Sequence, residues 1–165
     1  MLCNAFCSFI AGMLRVSLGE GGGGAVDDPL RGVWALVSYS AKDVASGEVI
    51  YPYGERAKGY LIYAEGRRMS ALVTAEDRKP LSAMPGRVEE RAEAFSTSTA
   101  YMGTYRWEGD RVVHDVDVAV NPSWVGVQQV RNATLAGNRL TLTIPPAPMQ
   151  PDGKVRVGTL VWERI

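Results

Sequence analysis

The sequence predicts an all-β fold: a single up-and-down antiparallel β-barrel of about 8–10 strands with one short helix at 86–96. Three observations predict it. From Val33 onward the chain is a succession of short runs with alternating side-chain character. The gaps between runs carry the Gly, Asn and Asp chemistry of tight turns. One segment, Gly86–Ser96, shows helical spacing instead. Tight turns join antiparallel neighbours, and a long meander of short strands removes its exposed edges by closing on itself.

The expected strands are Val33–Ser40, Glu48–Pro52, Gly59–Ala64, Arg68–Thr74, Ala100–Trp107, Arg111–Val120, Val125–Leu135, Arg139–Ile144 and Arg156–Arg164. Ala45-Ser46-Gly47, Glu65-Gly66, Glu108-Gly109-Asp110, Ala136-Gly137-Asn138 and Pro151-Asp152-Gly153 link them, each placing a residue that tolerates positive φ at the turn. Ahead of the first strand, Asp28-Pro29-Leu30-Arg31 combines an N-capping Asp with a proline at the first helical position, enough for one turn before Gly32. In Gly86–Ser96, Val88, Ala92 and Phe95 share a stripe among strong helix formers. This predicts about three helical turns lying across an open end or flank of the sheet.

The 165 residues suit one domain, and 46% hydrophobic with 22% charged residues is a globular mixture. Lys plus Arg (18) balances Asp plus Glu (18), with no basic run. That argues against nucleic acid, whose phosphates need a net basic face. Residues 1–28 are expected to be a flexible N-terminal extension with a Gly-rich linker, and 29–165 the barrel domain. The stretch Met1–Leu18 is fairly apolar but lacks the basic start of a secretory signal, and Arg15 interrupts it. It also falls short of the ~20 apolar residues that span a bilayer, so no membrane span is expected. Followed by the glycines of Gly19–Gly24, it reads as a dispensable extension or as an amphipathic lid over a barrel mouth; the first is preferred because glycine-tethered termini are usually mobile. The two cysteines, Cys3 and Cys7, stand four apart with no third or fourth ligand nearby, so neither a metal site nor a disulfide framework is expected. No haem, dinucleotide or other cofactor set is visible, and no cofactor is expected. Ser38, Ser70 and Ser123 lack a nucleophile-elbow context. Monomer and homodimer both remain open.

The opening strand reads Gly32-Val33-Trp34, then Leu36-Val37-Ser38-Tyr39, and Gly-x-Trp in that place resembles the lipocalin and wider calycin signature. Tyr53-Gly54, Gly59-Tyr60-Leu61-Ile62-Tyr63, Gly66, Met69-Ser70-Ala71, Ala100-Tyr101-x-Gly103-Thr104-Tyr105 and Val113-His114 follow. With Asn121-Pro122-Ser123-Trp124-Val125-Gly126, Gln129-Val130-Arg131 and Asn138-Arg139-Leu140-Thr141-Leu142, this set resembles the bacterial and fungal lipocalin-like domain family over Leu30–Arg164. The resemblance implies a lipocalin-like barrel around one cavity and the handling of a small molecule. It also implies that Trp34 closes the barrel floor beneath Arg164.

Strand alternation sorts side chains onto faces. In Arg111–Val120, His114 shares a face with Val112, Val116, Val118 and Val120, opposite Arg111, Asp115 and Asp117, and is therefore expected inside. In Ala100–Trp107 the aromatic face of Tyr101, Tyr105 and Trp107 is expected inward, with Gly103 leaving space between the two tyrosines. Both faces of Val125–Leu135 carry polar groups; Gln129 and Arg131 are taken as inward because they occupy motif-like positions beside the His114 strand. The result is a polar wall of Tyr101, Tyr105, His114, Gln129 and Arg131, with Trp34, Leu36, Met69 and Ala71 as apolar lining. Such a wall is either a satisfied internal network or the anchor for one end of a small, largely apolar ligand. An alternative is a cofactor-independent cyclase or isomerase, with His114 and Tyr105 as acid and base and Arg131 holding a carboxylate or enolate oxygen. Against it, no carboxylate falls on the expected inner faces near His114.

Overall fold

The computed structural model describes residues 28–150 and 152–165. The expectations placed on the N-terminal extension, its glycine linker, Cys3 and Cys7 lie outside the described residues. Nine strands follow in chain order: β1 (Gly32–Asp43), β2 (Val49–Ile50), β3 (Lys58–Ala64), β4 (Arg68–Thr74), β5 (Ser98–Trp107), β6 (Arg111–Ala119), β7 (Gln128–Ala136), β8 (Arg139–Pro148) and β9 (Val155–Arg164). One helix, α1 (Val88–Ser96), separates β4 from β5. From β3 to β9 each strand pairs antiparallel with its chain neighbour, and β1 pairs with both β3 and β9. These eight strands close the barrel; β2 is a two-residue flap on the far half of β1.

The length of β1 follows from its three partners. Gly32–Ala35 runs along β3, Ala41 and Lys42 take β2, and Trp34–Asp43 lies along β9. A register shift between Leu36 and Ser38 bends the strand from one set to the other. The strand expected from Val125 begins only at Gln128. Pro122–Trp124 instead forms a single tight turn, capped where the Asn121 side chain accepts from the Ser123 N–H at 3.0 Å, and Gly126 leaves it at φ +78°. Conversely, β8 runs on to Pro148, past Pro145 and Pro146. Its register with β9 shifts between Ile144 and Ala147, so the two prolines sit in an irregularity where no ladder N–H is required of them. The helix begins at Val88 because Gly86 is at φ +77° and Arg87 is the N-cap, its N–H donating to the Glu90 carboxylate at 2.9 Å.

The barrel has a closed end and an open end. At the closed end Leu30, Trp34, Met69, Tyr105, Val112 and Leu140 are buried together. Asp28–Arg31 makes the expected single turn: the Asp28 carboxylate accepts from the Leu30 N–H at 3.0 Å, and the Arg31 N–H bonds the Asp28 carbonyl at 3.0 Å. Trp34 Nε1 donates to the Leu30 carbonyl at 2.8 Å, and the Arg164 guanidinium stands 4.2 Å from the Trp34 ring. Such a contact contributes about 1 kcal/mol. The floor implied by the Gly-x-Trp resemblance is present.

Gly103 lies between the two inward tyrosines of β5, but room for their rings is not what it supplies. A Cβ there would stand 1.9 Å from the Asp115 carbonyl oxygen and 3.0 Å from the Asp117 nitrogen. The pairing of β5 with β6 shifts register at this point, and the two backbones approach too closely for any side chain.

A cavity above a packed floor

The half of the barrel towards the open end contains a cavity of about 360 Å³. Three consecutive strands supply its polar wall: Tyr101 from β5, His114 from β6, and Gln129 and Arg131 from β7. Leu61, Ala71 and Val73 from β3 and β4, with Leu142, Leu160 and Trp162 from β8 and β9, supply apolar lining. Met149, Trp124, Tyr53 and Thr99 stand at the open end, where the Tyr53 and Thr99 hydroxyls bond each other at 2.7 Å.

His114 organises the wall. It is 1% exposed, with Tyr63 Oη 2.8 Å from Nε2 and Tyr101 Oη 2.9 Å from Nδ1. Burial, and then the charge of Arg131, lower its pKa to about 3, so the ring is neutral at pH 7. A neutral imidazole has one donor and one acceptor nitrogen, and hydrogen-bond satisfaction assigns them. Tyr63 is fully buried and its hydroxyl has no partner among the described residues except Nε2, so Tyr63 donates there. The proton is then on Nδ1 and is donated to Tyr101 Oη. The Tyr101 O–H is left free to point into the cavity that Tyr101 lines. Burial raises the pKa of both phenols, Tyr63 most strongly, so both keep their protons.

β3 and β6 are not neighbours in the sheet, so the Tyr63–His114 bond crosses the barrel interior. It separates the cavity from the packed floor. Below it the Tyr105 ring lies 4.4 Å from that of Tyr63 and sends its hydroxyl to the Asp28 carboxylate at 2.7 Å. Burial, followed by that bond, raises the Tyr105 pKa.

Arg131 donates to the Val130 carbonyl at 2.8 Å and to Gln129 Oε1 at 3.0 Å, both neutral acceptors. Trp162 is 2% exposed, and its indole N–H is buried with no partner among the described residues.

Of the residues the sequence nominated, Tyr101, His114, Gln129, Arg131 and Ala71 line the cavity together. Trp34, Met69 and Tyr105 lie in the packed floor, and Leu36 packs against the core; none of these four lines the cavity. The pair His114 and Tyr105 is not joined by a hydrogen bond: both imidazole nitrogens go to other tyrosines, and Tyr105 goes to Asp28. Asp115 and Asp117 point outward, as the alternation predicted, to Gln128 and Arg106 and to Arg68. Sequence reasoning missed Tyr39, Tyr53, Tyr63, Trp124 and Trp162. In β3 the inward Leu61 and Tyr63 are no more apolar than the outward Tyr60 and Ile62, so alternation gave no contrast. Asp28 was read as a helix cap only; one carboxylate oxygen does cap the turn, and the other takes Tyr105.

Among the described residues no group of three or more His, Cys, Asp or Glu is placed to hold a metal, and no helix is long and apolar enough to cross a membrane. A family model described as a lipocalin-like domain matches residues 31–165. No curated protein matches the chain. Among solved structures, a lipocalin-like protein from Bacteroides uniformis is similar at 14% identity, covering 84% of this chain and 100% of that one, with a TM-score of 0.45. An uncharacterized protein from Bacteroides eggerthii is similar at 12% identity over 82% of this chain and 99% of that one, with a TM-score of 0.39.

Proposed function

Because this chain belongs to the lipocalin-like domain family and keeps half of its barrel open, we propose that it binds a small, largely apolar molecule in that cavity. The single observation that carries the reading is the division of the interior. The floor is a cluster of buried side chains around Trp34, Met69 and Tyr105, while above the Tyr63–His114 bond about 360 Å³ is walled by mixed polar and apolar groups. A volume of that order suits a small ligand, and a few convergent polar groups against apolar walls are what orients one. In this reading Tyr101, Gln129 and Arg131 orient the ligand, His114 fixes the direction of the Tyr101 hydroxyl, and the apolar residues of β8 and β9 hold the ligand's body.

The cyclase or isomerase reading has less support. An imidazole whose pKa is lowered to about 3 is a poor base at neutral pH, and both its nitrogens are occupied. Tyr105, its intended partner, is committed to Asp28 below the cavity floor. Binding is tested by native mass spectrometry of protein purified from its own host, together with thermal shifts across a lipophilic panel. A co-purifying small molecule, or a saturable rise in Tm, is expected. A persistently empty protein with no shift across the panel would refute the proposal.

A further inference from the structure

We propose that the occupant of the cavity carries a carboxylate, received by the Arg131 guanidinium and the Tyr101 hydroxyl, on an otherwise apolar body. This rests on the cavity being a binding site and adds the chemistry of its ligand.

Three features point the same way. Among the described lining residues Arg131 is the only formal charge, since His114 is neutral and no described Asp or Glu lines the cavity. Its two hydrogen-bond acceptors are a carbonyl and an amide oxygen, so its charge has no ion-pair partner among the described residues. Second, the lining is rich in donors with nothing to receive them. Among the described residues the Tyr101 O–H is freed by the direction of the Tyr63–His114–Tyr101 chain, the Gln129 amide N–H groups are left over once its oxygen accepts from Arg131, and the Trp162 N–H is buried and unpartnered. A buried donor without an acceptor is costly, and a ligand supplying oxygen acceptors removes that cost. Third, Tyr101 and Arg131 line the same cavity from β5 and β7, the two strands that flank His114 on β6, so phenol and guanidinium face one ligand from neighbouring positions on the wall. A planar guanidinium beside an aligned hydroxyl suits the two oxygens of a carboxylate. Of the rest of the lining, Leu142, Leu160, Ile144 and Met149 offer apolar contact to the ligand's body.

The test compares three probes of one chain length, decanoate, decan-1-ol and decylamine, by isothermal titration against the full chain at pH 7. Decanoate is expected to bind roughly 10- to 100-fold more tightly than decan-1-ol, the worth of a charged hydrogen bond, and decylamine more weakly than either. Arg131→Gln is expected to bring decanoate down to the affinity of decan-1-ol, and Tyr101→Phe to lower it part of the way. A thermal melt of each variant reports whether it folds, and the wild-type ranking of the three probes stands independently of both. Equal affinities for acid and alcohol in the wild type, or an equal loss for both in Arg131→Gln, would overturn the carboxylate inference and leave the binding proposal standing. Failure of all three probes, alongside an empty protein from the host, would overturn the binding proposal and this inference with it.

Discussion

His114 makes the stability of this barrel sensitive to mild acid. In the unfolded chain its imidazole takes a proton near pH 6.5; in the barrel, burial and Arg131 lower that to about 3. The folded pKa is depressed, so protons favour the unfolded chain. The stability is fully present above pH 6.5 and is lost progressively as pH falls towards 3. Each pH unit in that window costs about 1.4 kcal/mol, so going from pH 7 to pH 5 costs about 2 kcal/mol and lowers Tm by roughly 5–10 °C. The window is readable because His114 is the only histidine. The carboxyls held low by hydrogen bonds, Asp43, Glu76, Glu90 and Asp152, lose their contributions only in the more acidic carboxylate range. Urea unfolding at pH 7.0, 6.0 and 5.0 on wild type and His114→Gln is the assay. The variant should be less stable at pH 7, because it breaks the bridge between Tyr63 and Tyr101, yet nearly flat between pH 7 and 5. A flat wild-type profile, or a variant with the wild-type slope, would show that His114 is not held neutral by the fold.

Gly103→Ala should cost several kcal/mol, at or above the usual ~1–3 for overpacking, because its Cβ meets the Asp115 carbonyl at 1.9 Å and neither backbone can turn away; a denaturation midpoint equal to wild type would refute the close approach. Tyr105→Phe removes the bond to Asp28 and should destabilise by about 1–2 kcal/mol. Its affinity for any cavity ligand should match wild type, since Tyr105 lies below the floor, and a changed affinity measured by titration would place Tyr105 in the binding site instead.

Legibility in the sequence depended on contrast. β6 could be read side by side as far as Val116 because its two faces differ, with Val112, His114 and Val116 inward against Arg111 and Asp115. The register shift opposite Gly103 then reverses the alternation, and Val118 and Val120, expected inside, are exposed. β3 could not, since Tyr60 and Ile62 on the outside are as apolar as Leu61 and Tyr63 on the inside. That ambiguity hid Tyr63, the residue that sets the direction of the whole hydrogen-bond chain. The closed barrel was legible from the spacing of turns, but the depth to which it is filled was not. Trp34, Met69 and Tyr105 face inward like the cavity residues and differ from them only in how near they stand to the closed end. Face assignment gives the direction of a side chain around the barrel wall, and it is silent on height along the axis until the register of every strand is known.

The Asp28–Arg31 turn and the last residues of β9 meet at the floor. The Ile165 N–H donates to the Val33 carbonyl at 3.0 Å, and the Arg164 guanidinium reaches the Arg31 carbonyl beside the turn that starts at Asp28. The entrance, framed by Tyr53, Trp124 and Met149, is at the opposite pole. A short peptide joining residue 165 to residue 28 would therefore span little distance, making the fold a natural subject for circular permutation. A reporter or surface tether attached after residue 165 would sit away from the entrance, so the loading of the barrel could be followed on an immobilised protein without the attachment obstructing it.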